Sequence, residues 1–371
     1  MQGNPIPVFD GHSDSLLEWF FEGERDMSAF LEGQGSKHMD IVRARAAGMV
    51  GGLCAICTPP SWGGHESSRD RAIRRAGGYE VPLPAPLDPE YAAEFGLVAV
   101  EAMHALERKA HGRLRVVRTS ADLDRLATDE TFWIIIHLEG AEPVCEDLSN
   151  LQRLYDLGVR SIGPVWSRPN VFGHGVPFKF PSSPDTGPGL TKAGRRLVEA
   201  CQRLGILVDL SHITKRGFDD VAAQSVQSLV VSHAGAHALC RSARNLTDQQ
   251  LDTIGRTGGL VGVTFHVADL REDGALNPDT PIDRIVDHIA HIASRIGIEH
   301  VALGSDFDGA TIPSQLCDAS GLPILLGRLK ERGFDDDSCR KIAIENWIRV
   351  LKAVLGGTGA RREEGGEADR R

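Results

Sequence analysis

With 371 residues, 41% hydrophobic and 25% charged, the chain has the composition of a soluble globular protein, enough for one large α/β domain or two smaller ones. A net charge of −10 argues against a nucleic-acid partner, which needs a basic face, and no apolar run approaches the roughly 18 residues that span a bilayer. No basic n-region followed by an apolar stretch opens the chain, and its seven cysteines are scattered, so reduced thiols and a cytoplasmic location are expected.

Apolar segments suited to buried strands recur near 7–12, 50–57, 132–138, 159–165, 205–211, 228–233, 259–265 and 300–305. Their continuous apolar runs fit parallel strands covered on both faces better than half-exposed ones. Amphipathic stretches at 91–111, 147–157, 191–204, 281–296 and 339–355 fit helices between them. This alternation predicts a (β/α)8 TIM barrel occupying residues 1–355 as one domain, with a doubly wound open sheet as the runner-up. Two long loops interrupt the pattern: 58–90, rich in Pro, Gly and charge, and 167–190, with five prolines and four glycines. Loops of that length are either lids over a site or disordered. From Gly356 a Gly- and charge-rich tail is expected to be unfolded. Cys54 and Cys57 form a lone C-x-x-C in a strand, where residues three apart face opposite ways, so core packing is favoured over chelation.

Five strands end in residues able to bind a metal or move a proton. The segments are Asp10-Gly11-His12-Ser13-Asp14, His137-Leu138-Glu139-Gly140, Asp209-Leu210-Ser211-His212, Val231-Ser232-His233 and Gly304-Ser305-Asp306-Phe307-Asp308. A parallel barrel gathers such distant residues at one end, the C-terminal end of its strands. His12 and Asp14 lie two apart and share a face. Glu139 ends a very apolar strand, where an unpaired carboxylate would be costly. His212 and His233 end successive strands. Each residue alone would pass as a hydrogen-bonded core residue, but together they read as metal ligands.

The count points to two divalent ions, with zinc the first choice for imidazole and carboxylate donors. Five protein ligands exceed the three of a catalytic zinc site. With Glu139 as a bridge, His12 and Asp14 would hold one ion and His212 and His233 the other. A water shared by the ions would be acidified toward hydroxide at neutral pH. Asp306 is left to take its proton and pass it to a leaving group, unless it serves as a turn or helix-cap carboxylate.

In order along the chain, these motifs, together with Arg244-Asn245, resemble those of the membrane (renal) dipeptidase family of amidohydrolase-type metal barrels, from Asp10 to about Trp347. The resemblance implies a two-zinc dipeptidase in which Arg244 pairs with the substrate's C-terminal carboxylate. Guanidinium suits that role through two parallel hydrogen bonds, the plain alternative being a surface salt bridge. One position departs from the family: Val165-Trp166 replaces the usual Thr-His, whose histidine is associated with polarising the scissile carbonyl. Trp166 offers one neutral N–H, so it would either donate a weaker hydrogen bond or wall the pocket. His266 and Arg168 are the candidate substitutes.

The expected partner is a small dipeptide, with a homodimer as the oligomer allowed and no membrane or nucleic acid. An amide or lactam hydrolase with a pocket altered at Trp166 is the competing function, and a metal- or ligand-binding protein without turnover is a third. Asp306 argues against the last, because a binder needs no general base.

Overall fold

In the computed structural model, residues 6–23, 25–33, 35–63 and 71–357 are described. Eight parallel strands carry the architecture: Val8–Ser13 (β1), Met49–Ile56 (β2), Phe132–Leu138 (β3), Val159–Ile162 (β4), Leu207–Val208 (β5), Val230–Ala234 (β6), Leu260–Val263 (β7) and Val301–Leu303 (β8). They form two sheets, β1-β2-β3-β4-β5 and β6-β7-β8, and Leu114–Val116 adds to β3. Single parallel bridges span both gaps between the sheets. Asp209 meets Val230 beyond the end of β5, and Ser13 at the end of β1 meets Phe307 beyond β8. Backbone bonds support each contact: Leu210 N–H to Val230 O at 2.8 Å, Asp14 N–H to Phe307 O at 2.9 Å and Asp306 N–H to His12 O at 3.0 Å. The eight strands therefore curl, and their C-terminal ends converge.

The apolar strand runs serve two packing layers. Val8, Cys54, Ile134, Ile136 and Val261 belong to the large core shared with the helices, while Phe9, Leu53, Trp133, Ile135, Leu207, Val230, Leu260 and Ala302 form a second cluster. That alternation is the period of two expected of a strand buried on both faces. The second cluster is completed by Trp347, Val350, Leu351 and Val354 of the helix Asn346–Gly356. The Trp347 indole donates to Leu303 O at 2.9 Å and lies so close to Gly11 that a Cβ there would strike its ring, which explains the glycine of the first motif.

Helices fall where the amphipathic stretches predict them, with capping residues setting their limits. Lys192–Leu204 starts at Thr191, whose hydroxyl accepts from Gly194 N–H, and stops at Gly205 in the left-handed region. That stop delays the strand predicted for 205–211, which runs Leu207–Val208, and β4 ends at Ile162 instead of 165, before Gly163-Pro164. The helix predicted for 339–355 has a wider turn, Lys341–Glu345, ahead of Asn346–Gly356.

The two long loops meet. Ile73–Arg75 and Gly78–Glu80 from the first form a hairpin, and Gly78–Glu80 pairs with Lys179–Phe180 from the second. Val81 N–H donates to Phe178 O at 2.8 Å, and Lys179 forms an ion pair with Glu80 at 3.0 Å. Residues 64–70 of the first loop, and the tail expected to be unfolded apart from Gly356 and Gly357, lie outside the described residues. Cys54 and Cys57 are buried, free and packed in the core; burial raises both thiols, the behaviour expected of packing residues. No helix among the described residues is long and apolar enough to cross a membrane.

Candidate metal centre

All five sequence-predicted ligands meet at the C-terminal ends of the strands. Glu139 Oε1 lies 3.5 Å from His12 Nε2, 3.0 Å from His212 Nε2 and 3.5 Å from His233 Nε2. His212 Nε2 and His233 Nε2 are 3.0 Å apart, and His12 Nε2 is 3.5 Å from Asp14 Oδ2. Zinc bonds of about 2.0–2.1 Å in a tetrahedron put neighbouring ligand atoms about 3.3 Å apart. The observed separations of 3.0–3.5 Å bracket that edge. Both His12–Glu139–His233 and His12–Asp14–Asp306 have their ligand atoms within 4.8 Å of one another and could hold an ion. Donor set and spacing both fit a divalent metal.

The electrostatics fit as well. Burial pushes Glu139 up to about 8, with Asp14 adding to the rise and His12 opposing it. Burial alone would lower His12, but Glu139, Asp14 and Asp306 outweigh it and hold the imidazole at about 10. Burial drives His212 and His233 well below the usual histidine range, aided by nearby Arg244 and His12. These two imidazoles are therefore neutral, the form that binds metal, whereas His12 would release its proton on binding one.

Asp306 lies beyond β8 with φ 62°, in the left-handed region, where Asp is among the more tolerated residues. It caps no helix. Its backbone N–H bonds to His12 O, and its carboxylate joins the His12–Asp14 group. Burial pushes it well above the ordinary carboxylate range; Asp14 and Glu139 reinforce the rise against His12 and Arg244. A Cβ at Gly309 would strike the carboxylates of both Asp14 and Asp306, so the last glycine of Gly-Ser-Asp-Phe-Asp-Gly gives this pair its room.

Arg244 is 6% exposed, donates from Nη2 to His233 O at 3.2 Å and has no carboxylate within 4.0 Å among the described residues. This geometry does not match the surface salt bridge considered from sequence. Its loop is pinned by neighbouring Asn245, whose Oδ1 accepts from Gly235 N–H and whose Nδ2 donates to Cys240 O and Asp269 O.

Trp166 is half-buried, with its ring 5.9 Å from that of His212 and 5.7 Å from that of Phe178, so it borders the ligand cluster. Of the candidate substitutes for the missing histidine, Arg168 is held in the wall: its Nη1 donates to Thr58 O at 3.0 Å and lies 3.5 Å from Glu142, and its guanidinium carbon sits 5.2 Å from the Trp166 ring. His266 lies at the start of the short helix Val267–Leu270. Phe178 links the cap formed by the two loops to the site, being 6.0 Å from His212.

Two residues went without a role in the sequence reading. His137 and Asp209 form a third group with His12, one of the five, again with ligand atoms within 4.8 Å. The signal was present: His137 lies two before Glu139 on one strand and so shares its face.

Comparison with known proteins agrees with this geometry. The pattern of the family described as Membrane dipeptidase (Peptidase family M19) matches residues 4–360. A metallopeptidase from Rhodobacter sphaeroides, solved with a phosphinate mimic of the dipeptide L-Ala-D-Ala, superposes with a TM-score of 0.90 at 43% identity, covering 95% of this chain and 100% of that one. An uncharacterized Klebsiella pneumoniae protein from the pqqA 5′ region is 47% identical over 243 residues, 66% of this chain and 90% of the relative. Dipeptidase verJ of Clonostachys rogersoniana is 28% identical over 357 residues, 94% of this chain and 84% of the relative. With the family pattern spanning nearly the whole chain and the ligand motifs gathered at the strand ends, the chain belongs to the membrane dipeptidase family of metallopeptidases.

Proposed function

We propose that this protein is a two-metal dipeptidase, most simply a zinc enzyme, acting on small dipeptides with a free C-terminal carboxylate. The observation that carries the proposal is the position of Glu139, whose Oε1 lies within 3.5 Å of three histidine Nε2 atoms. A carboxylate so placed is suited to serve two ions, His12 and Asp14 holding one and His212 and His233 the other. The reading takes the eight curled strands as a closed (β/α)8 barrel and residues 1–355 as its single domain, supported by the bridges at both seams. The cytoplasm remains the proposed compartment, in keeping with seven free cysteines.

Bound divalent ions supply an acidified water and polarise the scissile carbonyl. The chain's own residues do the rest. Arg244, buried and without an acidic partner among the described residues, orients the substrate through its C-terminal carboxylate. Trp166 and Phe178 wall the pocket beside His212 and exclude water there. Asp306, whose carboxylate joins the His12–Asp14 group, accepts a proton there and returns it to the amine that leaves.

The dipeptide mimic bound by the Rhodobacter sphaeroides relative makes L-Ala-D-Ala the first substrate to assay. A panel of L,L and L,D dipeptides with zinc-loaded protein tests the proposal. Cleavage of free dipeptides that is lost on chelation supports it. Cleavage confined to blocked amides or lactams favours the second reading, an amide or lactam hydrolase whose pocket Trp166 has reshaped.

A further inference from the structure

The Asp-Leu-Ser-His motif contributes one proposed ligand, His212, yet its first residue is buried too deeply to touch substrate: Asp209 is 1% exposed. Its hydrogen bonds assign it a different task. Oδ1 accepts from Ser232 N–H at 2.7 Å, Ser211 N–H at 3.2 Å and the Ser211 hydroxyl at 3.0 Å. Oδ2 accepts from the Ser232 hydroxyl at 2.6 Å and lies 3.4 Å from His137 Nε2. Ser232 Oγ is in turn 2.9 Å from His233 Nδ1.

A hydroxyl has one proton to donate. That of Ser232 goes to the carboxylate, its shortest partner. That of Ser211 goes to Asp209 Oδ1, while Ser211 Oγ accepts from His233 N–H at 3.1 Å. Neither serine has a proton left for His233 Nδ1, so the imidazole must donate there. Its proton is then on Nδ1 and its lone pair on Nε2, which points at His212 Nε2 and Glu139 Oε1. We propose that Asp209 is a positioning residue that, through Ser232, fixes the His233 tautomer and ring orientation required for metal binding. It acts through its hydrogen bonds to Ser211 and Ser232 and is not one of the five proposed ligands. Partners of this kind commonly contribute 10–100-fold to metal affinity.

The inference rests on the proposed role of His233 as a ligand, and the test separates the two. In Asp209→Asn the two backbone N–H groups require the amide oxygen at the Oδ1 position, which leaves the amide NH2 facing Ser232 Oγ. Ser232 then accepts from the asparagine and its own proton is free for His233 Nδ1 at 2.9 Å or Ser211 Oγ at 3.1 Å; the shorter contact takes it and moves the imidazole proton to Nε2. Zinc affinity would be measured on metal-free protein by competition with a chromophoric chelator. The tautomer would be read by two-bond 1H–15N NMR of 15N-histidine-labelled metal-free protein, and folding checked by its melting curve. The expected result is a 10–100-fold weaker zinc affinity with the Nε2–H tautomer in Asp209→Asn. Ser232→Ala should lose about 10-fold, and Ser232→Thr should restore it by returning the hydroxyl. A folded Asp209→Asn protein with unchanged affinity and an Nδ1–H His233 overturns the inference. If Asp209→Asn does not fold, the Ser232→Ala and Ser232→Thr pair decides, equal affinity in the two being the contrary result. His233→Ala with undiminished zinc binding would instead overturn the ligand assignment beneath it.

Discussion

Replacing Arg244 with alanine removes a buried guanidinium that donates to His233 O at 3.2 Å. At 6% exposure, solvent screening does little to weaken a pairing with substrate carboxylate. Removing one partner of a desolvated, hydrogen-bonded charge pair costs about 2–5 kcal/mol. At 1.4 kcal/mol per factor of ten, that is about 30-fold to a few thousand-fold in kcat/KM for a dipeptide with a free carboxylate. The corresponding C-terminal amide carries no charge at that end and should lose far less. The assay is therefore a cycle of two proteins and two substrates, so general damage to the site cancels and the pairwise term remains. His233, beside Arg244, is a proposed ligand, so metal content must be equal in both proteins. Equal losses on acid and amide would refute the carboxylate assignment and favour the amide or lactam hydrolase reading.

Glu139→Ala should lose more than one ion's worth of metal, since one carboxylate is proposed to serve both sites; retention of both ions, measured by elemental analysis, would remove it from the bridging role. Asp306→Asn keeps size and removes the base, so it should retain its metals and fold while turnover falls on the order of 10²-fold or more, and near-normal kcat in metal-replete protein would rule out the proton transfer. His288, away from the centre, gives a pH prediction: burial lowers it to about 4, and it is held neutral by accepting from Ala236 N–H at 2.9 Å and lying 3.1 Å from Leu270 O. Because its folded value lies below the unfolded one of about 6.5, the unfolded chain takes up a proton first as pH falls. Stability should therefore decline between about pH 6.5 and 4, by a total on the order of 3 kcal/mol, and His288→Asn should show a shallower decline in denaturant titrations. An unchanged slope would mean that His288 is not the group responsible.

The site was legible because its chemistry sits in short motifs at strand ends: His12, Asp14, Glu139, His212 and His233 were all readable from type and position, and all five converge. The strands were legible for the same reason, since runs such as Trp133-Ile134-Ile135-Ile136 have few alternatives to burial on both faces. What escaped depended on distant partners. No local signal ties the hairpin at 73–80 to Lys179–Phe180, a pairing across about a hundred residues of chain that joins two loops into one cap. The strand at Leu207–Val208 starts later than expected because Gly205 caps the preceding helix. Asp209 and His137 lay in motifs already noticed, but their hydrogen-bonding partners are serines on neighbouring strands, whose proximity only the fold reveals. Trp166 lies with its ring 5.7 Å from Phe178 and 5.9 Å from His212, contacts that its departure from the family motif did not reveal.

Two ions, shared through Glu139, are proposed to be needed to cleave a dipeptide. The most direct test titrates chelator-stripped protein with zinc while following hydrolysis of L-Ala-D-Ala. No cleavage is expected without metal, and full activity only at two zinc ions per chain. Cleavage that saturates at one ion per chain, or persists in metal-free protein, would contradict it.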